Sequence, residues 1–269
     1  MPRLEFSFRV LPFDATGLIT VVIANVPLCL AKKLYENESE LGGILAQYRE
    51  LVAKAVNVAR RYITEDVFAN CVVDLHTRME IATERTEISI RDPDIACIAL
   101  QLNNLARELE EKLGRLTPKP ITVETSRAVA KLRAIRGNIT TFMSCIKIRN
   151  GKIDENMPFV RLELEFDVEL KSIVSERLKE LSKEEETAMK TLFEALQQQG
   201  LNAEPSKCKV DLDNGVVKCG DVVLYVPSKL LETAKKSIEE VKKRRLSLLE
   251  DVYNELCKEI EKTLRTLLS

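Results

Sequence analysis

Residues 161–170 alternate without exception: Leu162, Leu164, Phe166, Val168 and Leu170 are apolar, while Arg161, Glu163, Glu165, Asp167 and Glu169 are charged. Such period-two alternation predicts a β-strand over Val160–Leu170 with one buried and one wet face. The same pattern in RLEFSFRV, Arg3 to Val10, predicts an opening strand ended by Pro12. The apolar stretch from Leu18 to Ala31 reads as a buried strand that passes at Pro27 into a short helix ending near Leu34. Helical spacing of Leu41, Leu45, Tyr48, Val52, Ala55, Val56 and Ala59 predicts a helix over Glu38–Ile63.

Val72 to Ile81 alternates again, and after a turn near Thr83 a further strand is expected over Arg85–Arg91. Asp92 is a good N-cap, Pro93 suits the first helical position and Gly114 the C-terminal cap, which predicts a helix between them. Pro118 and Pro120 mark a short linker. A strand at Ile121–Glu124, a helix over Ser126–Ile135, a strand over Ile139–Arg149 and a turn at Asn150-Gly151 are expected to follow. Two helices, Ser172–Leu181 and Ser182–Gln199, come next; the capping box Ser182/Glu185 opens the second and Gly200 closes it. The run KCKVDLDNGVVKCGDVVLYV reads as a hairpin before Pro227, and Ser228–Leu268 reads as one long helix without internal Gly or Pro.

The order strand, helix, hairpin, helix therefore occurs twice, over residues 3–114 and 161–268. The fold expected is α+β, with two tandem ferredoxin-like (β-α-β-β-α) units and a long C-terminal helix. The first unit would span 1–117. The second would span 118–269 and include the linker β-α-β segment. In element order the chain resembles the repeat-associated RNA-processing proteins of prokaryotic immune systems, which are tandem ferredoxin-like units with basic surfaces. It lacks the glycine-rich segment near the C-terminus that those proteins usually show.

Composition narrows the picture. The 269 residues are 45% apolar and 31% charged, which suits a globular chain with a substantial core. Net charge is −1, so any pull toward nucleic acid must come from a local patch. The start MPRLEF lacks a secretory pattern, and the most apolar stretch is shorter than the roughly 20 residues of a membrane span. A cytoplasmic protein without membrane contact is expected. The absence of Trp and the many Lys, Glu and Arg hint at a thermophile. Seven cysteines without CxxC spacing and a single histidine, His76, argue against a zinc site, and no cofactor is expected. Cys208 and Cys219 flank the hairpin. An Asn214-Gly215 turn would set Val210 opposite Cys219 and leave Cys208 only diagonal to it, too far for good disulfide geometry.

Three patterns carry candidate function. Between Glu124 and Asp154 there is no acidic residue but seven basic ones: Arg127, Lys131, Arg133, Arg136, Lys147, Arg149 and Lys152. They are the candidate nucleic-acid-binding residues, suited to an RNA or DNA backbone because phosphate contacts need cations rather than base readers. The alternatives are neutralisation by the acidic segment that follows, within the chain or between subunits. Second, the terminal helix repeats apolar positions every 3.7 residues or so and would be about 60 Å long. Leu249, Val252, Leu256, Ile260, Leu264 and Leu267 are its candidate oligomer interface. The cations Lys242, Lys243, Arg244 and Arg245 on the same helix are read as a solvated face, with phosphate contact as the alternative. Third, Asp74, His76, Arg78 and Glu80 share one strand face. A general base, His76 oriented by Asp74 or Glu80, would fit there; a solvated edge is the plainer reading.

The leading expectation is a non-enzymatic, self-associating assembly or scaffold module with a nucleic-acid backbone contact through its basic segment. The alternatives are an RNA-processing ribonuclease of double ferredoxin-like type and a regulatory subunit whose protein partner covers the acidic strand face.

Overall fold

The computed structural model describes residues 3–9, 16–62, 70–74, 78–82, 87–141, 147–149, 152–154, 158–198, 208–220 and 222–269. The chain begins with β1 (Arg3–Arg9), β2 (Thr16–Pro27), α1 (Leu28–Ala31), a 3-10 turn at Lys32–Leu34 and α2 (Glu38–Ala59). Three short strands follow, β3 (Asn70–Asp74), β4 (Arg78–Ala82) and β5 (Glu87–Ile90), then α3 (Pro93–Arg115). The middle of the chain forms β6 (Thr122–Glu124), β7 (Ala128–Thr141), β8 (Lys147–Arg149), β9 (Lys152–Asp154) and β10 (Phe159–Leu170). It ends with α4 (Ser172–Gln198), β11 (Cys208–Asp211), β12 (Val216–Cys219), β13 (Val222–Tyr225) and α5 (Ser228–Leu267).

Period-two alternation makes β10 the middle of a five-stranded antiparallel sheet, in the order β1-β2-β10-β7-β6. Val160, Leu162, Leu164, Phe166 and Val168 point to the buried face, as the alternation requires. They join Ile19, Val21 and Ile23 of β2 and Ala128, Ala130 and Ile135 of β7. The same core takes in α2, α3 and the end of α5. At the start of α3, the Asp92 side chain accepts the Asp94 N–H at 2.8 Å and the Tyr62 hydroxyl at 2.7 Å. That cap also ties the end of α2 to the start of α3. A second three-stranded sheet, β11-β12-β13, has its own smaller core with the end of α4 and the start of α5.

The sheets do not confirm two ferredoxin-like units. The look-alike strands β1 and β10 lie in one sheet, each paired to β2, so the repeated strand pattern reflects a shared sheet environment. That sheet takes strands from both sides of residue 118.

Four local expectations are corrected. The helix over Ser126–Ile135 is instead the first half of β7. A bulge explains the misreading. Leu132 faces Phe166 and Ala134 faces Glu165, so one extra residue, Arg133, is inserted and the inward positions change parity from Ala128, Ala130 and Leu132 to Ile135 and Gly137. The three-residue step from Leu132 to Ile135 imitates helical spacing. A Cβ at Gly137 would crowd Leu113, lying 2.9 Å from its Cδ1 and 3.1 Å from its Cβ.

The strand over Val72–Ile81 is a hairpin, with Asp74 of β3 opposite Arg78 of β4; His76 lies outside the described residues. Ser182 does not open a helix either, because α4 runs through it unbroken. Its hydroxyl and the Glu185 carboxylate both accept hydrogen bonds from Arg245 of α5, at 3.1 and 3.0 Å. The Ser-x-x-Glu spacing serves helix docking, not capping. Arg245 is 8% exposed, a buried cation with its partners in place. Lastly, the Cys208–Cys219 hairpin closes differently from the expected two-residue turn, as described below.

Tyr35 is fully buried, and its hydroxyl has no hydrogen-bond partner among the described residues. Burial pushes its phenol well above the ordinary range. A buried, unsatisfied hydroxyl is destabilising by about 1–3 kcal/mol, whereas an apolar group of the same shape is not. Tyr35→Phe is therefore expected to hold or raise stability in urea unfolding. A clear loss would show that the hydroxyl is satisfied in solution.

Candidate interaction surfaces

The β7 part of the basic segment lands on the wet face of the sheet, directly against the acidic strand. Lys131 pairs with Glu169 at 3.4 Å, Arg133 with Asp167 at 3.6 Å and Arg136 with Glu165 at 3.1 Å. Arg127 pairs with Glu255 of α5 at 2.6 Å. Three of the four carboxylates of β10 are thus answered by cations of β7 in a cross-strand ladder. The three β7 cations are more than half exposed, so each pair adds little stability. Their larger effect is on the field. With Glu163, Glu165, Asp167 and Glu169 alongside, this face offers a phosphate backbone no net positive surface. Lys147 and Arg149 lie on β8 and Lys152 on β9, in a two-stranded ladder with Arg149 opposite Lys152.

The apolar stripe of α5 is taken up within the chain. Leu249, Val252, Leu256, Ile260 and Leu264 are at most 3% exposed, and Leu267 packs against the main core. Of the six residues expected at an oligomer interface, five are thus buried within the chain and Leu267 is partly buried against its core. Along α5 the start of the helix serves the small core, its last third serves the large one, and α4 packs alongside. From Ala234 to Val252 this separates the two cores by about 27 Å at 1.5 Å per residue. Two of the four mid-helix cations are paired: Arg244 with Glu184, and Arg245 with Glu185.

A cavity of about 720 Å³ opens between the first hairpin and the end of α5, lined by Leu4, Asn25, Leu30, Phe159, Arg265 and Leu268 among others. Asn25 has φ 54° where Ala24 and Asn25 together face Arg161 across a bulge. The lining is more apolar than polar, with Glu5, Asn25, Arg265 and Ser269 as its polar members. Among the described residues no group of His, Cys, Asp and Glu is placed to hold a metal. No described helix is long and apolar enough to cross a membrane.

The small sheet caps the paired helices α4 and α5. Its hairpin loop has four residues, Leu212 to Gly215, so Asp211 faces Val216 and Cys208 lies directly opposite Cys219. The longer loop corrects the expected register and permits the disulfide that joins the two cysteines. Gly215 supplies φ +64°, and a Cβ there would sit 2.8 Å from Leu231. Asp211 accepts hydrogen bonds from the Asn214 side-chain amide at 2.8 Å and from the Asn214 backbone N–H at 3.0 Å. Those bonds lower its pKa below the ordinary carboxylate value. A carboxyl whose folded pKa is lowered stabilises above its unfolded value and loses that contribution as pH falls through the folded one. Acidification below the usual carboxylate range is thus expected to loosen this turn. Amide exchange at Asn214 and Val217 measures it, and Asp211→Asn should flatten the dependence.

The exposed face of this sheet is the unexplained surface. Each of β1, α3, α4 and α5 carries one large exposed apolar side chain: Phe8, Leu100, Ile173 and Leu246. Among the described residues only β13 carries two, with Tyr225 81% and Val223 50% exposed. Nothing in periodicity marked them, because a four-residue strand is too short to show which of its faces is covered. No protein-family model, curated protein or solved structure matches the chain.

Proposed function

We propose that the protein is a non-enzymatic interaction module whose docking site is the small sheet at the end of the α4/α5 pair. The observation that carries this reading is the pairing of Tyr225 and Val223 on one exposed strand. Large apolar side chains side by side on a sheet surface are unfavourable in water unless a partner covers them. Support for an interaction role, as against catalysis, comes from the surroundings. Lys131, Arg133 and Arg136 of the large sheet's wet face are engaged in ion pairs with Glu169, Asp167 and Glu165. The docking site differs from the α5 stripe expected from the sequence, since that stripe is core. Nucleic-acid contact through Arg127, Lys131, Arg133 and Arg136 is not part of the proposal, because a carboxylate answers each of these cations.

The test compares the wild type with the double variant Val223→Lys, Tyr225→Glu, each immobilised and exposed to lysate of the source cells. A protein partner retained by the wild type and lost by the variant is expected, with the thermal midpoint unchanged. Identical sets of captured proteins on the two columns would defeat the proposal.

A further inference from the structure

Resting on that reading, we infer that the partner docks as an extended strand along the outer edge of β13, with an acidic residue placed two positions from an apolar one. β13 ends its sheet, and no described backbone group bonds to its outer side. An edge of this kind is a template for strand addition, in which main-chain bonds hold the segment and alternate side chains select it.

The register of the small sheet specifies the selection. On its outer face Lys209, Lys218 and Val223 form one row, since Lys209 faces Lys218 and Lys218 faces Val223. Asp211, Val216 and Tyr225 form the next row. Lys209, Lys218, Val223 and Tyr225 are all exposed. Two lysines directly opposite one another repel, and the one carboxylate on this face among the described residues is Asp211 of the next row, which feels the Lys218 charge. An incoming strand would lie two strand spacings, about 10 Å, from Lys218. A Lys and a Glu side chain together span that distance, over the small Val223. The row ending in Val223 therefore selects a carboxylate. The row ending in Tyr225 offers a ring against which an apolar side chain packs, as aromatic and β-branched cross-strand pairs do. Residues on adjacent rows of one strand face are two apart, which gives the partner its acidic-x-apolar spacing.

The probe is a short fluorescein-labelled peptide of alternating Glu and Val, with a Lys/Val peptide of the same length as its opposite, read by fluorescence anisotropy on the intact protein. The Glu/Val peptide is expected to bind the wild type at least about ten-fold more tightly than the Lys/Val peptide. Lys209→Glu, Lys218→Glu should reverse that preference, and Tyr225→Ser should weaken both peptides. No binding of the Glu/Val peptide to the wild type, or a preference untouched by the lysine reversal, would overturn the inference. If the column experiment still showed a partner lost with Val223→Lys, Tyr225→Glu, the docking site would stand and only the acidic-strand chemistry would fall. Loss of neither would remove both.

Discussion

Leu256→Ala is expected to lower the unfolding free energy by about 2–5 kcal/mol, the range for a fully buried leucine truncated in a close-packed core. Leu256 is 0% exposed, within the cluster that holds Val252, Ile260 and Leu264 against the five-stranded sheet. An exposed interface leucine would behave otherwise: its truncation would leave monomer stability nearly unchanged and shift the mass in solution. Denaturant unfolding together with light scattering separates the cases. A loss under about 1 kcal/mol, with a fall in mass, would return the stripe to its reading as a subunit interface.

The sequence argument for a covered helix was sound in its first step. Forty helical residues outrun one core of this size, so the stripe needs more than one cover. Within the chain, two cores and a second long helix supply cover along α5. Sequence periodicity shows that a face is covered but carries no information on whose atoms cover it. What was legible was purely local: the unbroken alternation of β10 and β1, the Asp92-Pro93 start of α3, and α5 free of Gly and Pro. What was not legible depended on a neighbour. The Arg133 bulge shows only against β10, the Ser182/Glu185 pair finds its role only when Arg245 arrives, and the four-residue loop at Gly215 is recognised only with Leu231 beneath it. The charge shift between Glu124 and Asp154 was read correctly as a feature, and ion pairing within the chain accounts for its β7 part. The docking strand went unseen because exposure, unlike spacing, is a property of the folded surface.

Replacing both cysteines of the small sheet by serine is the second large effect. The Cys208–Cys219 bond closes a loop with a separation of 11 residues, and the chain-entropy relation assigns a loop of that size roughly 3 kcal/mol. In the large core such a loss would be spread over a whole domain. Here it falls on a core whose fully buried members are few, Leu192, Phe193, Leu196, Val217, Cys219, Val226 and Ala234 among them. Small cores depend on covalent closure for much of their margin. Cys208→Ser, Cys219→Ser should therefore open β11 and β12 locally, with their amides exchanging far faster, while amides of β10 and β2 keep their protection. Because β13 is held only through β12 within its sheet, the same variant should lose the Glu/Val peptide even though Tyr225 and both lysines remain. Reductant acting on the wild type should reproduce both effects, and oxidation should restore them. Unchanged exchange at Val217 after the double substitution would mean that the apolar contacts of Leu196, Val226 and Ala234 suffice alone. The docking edge would then be insensitive to the state of these cysteines.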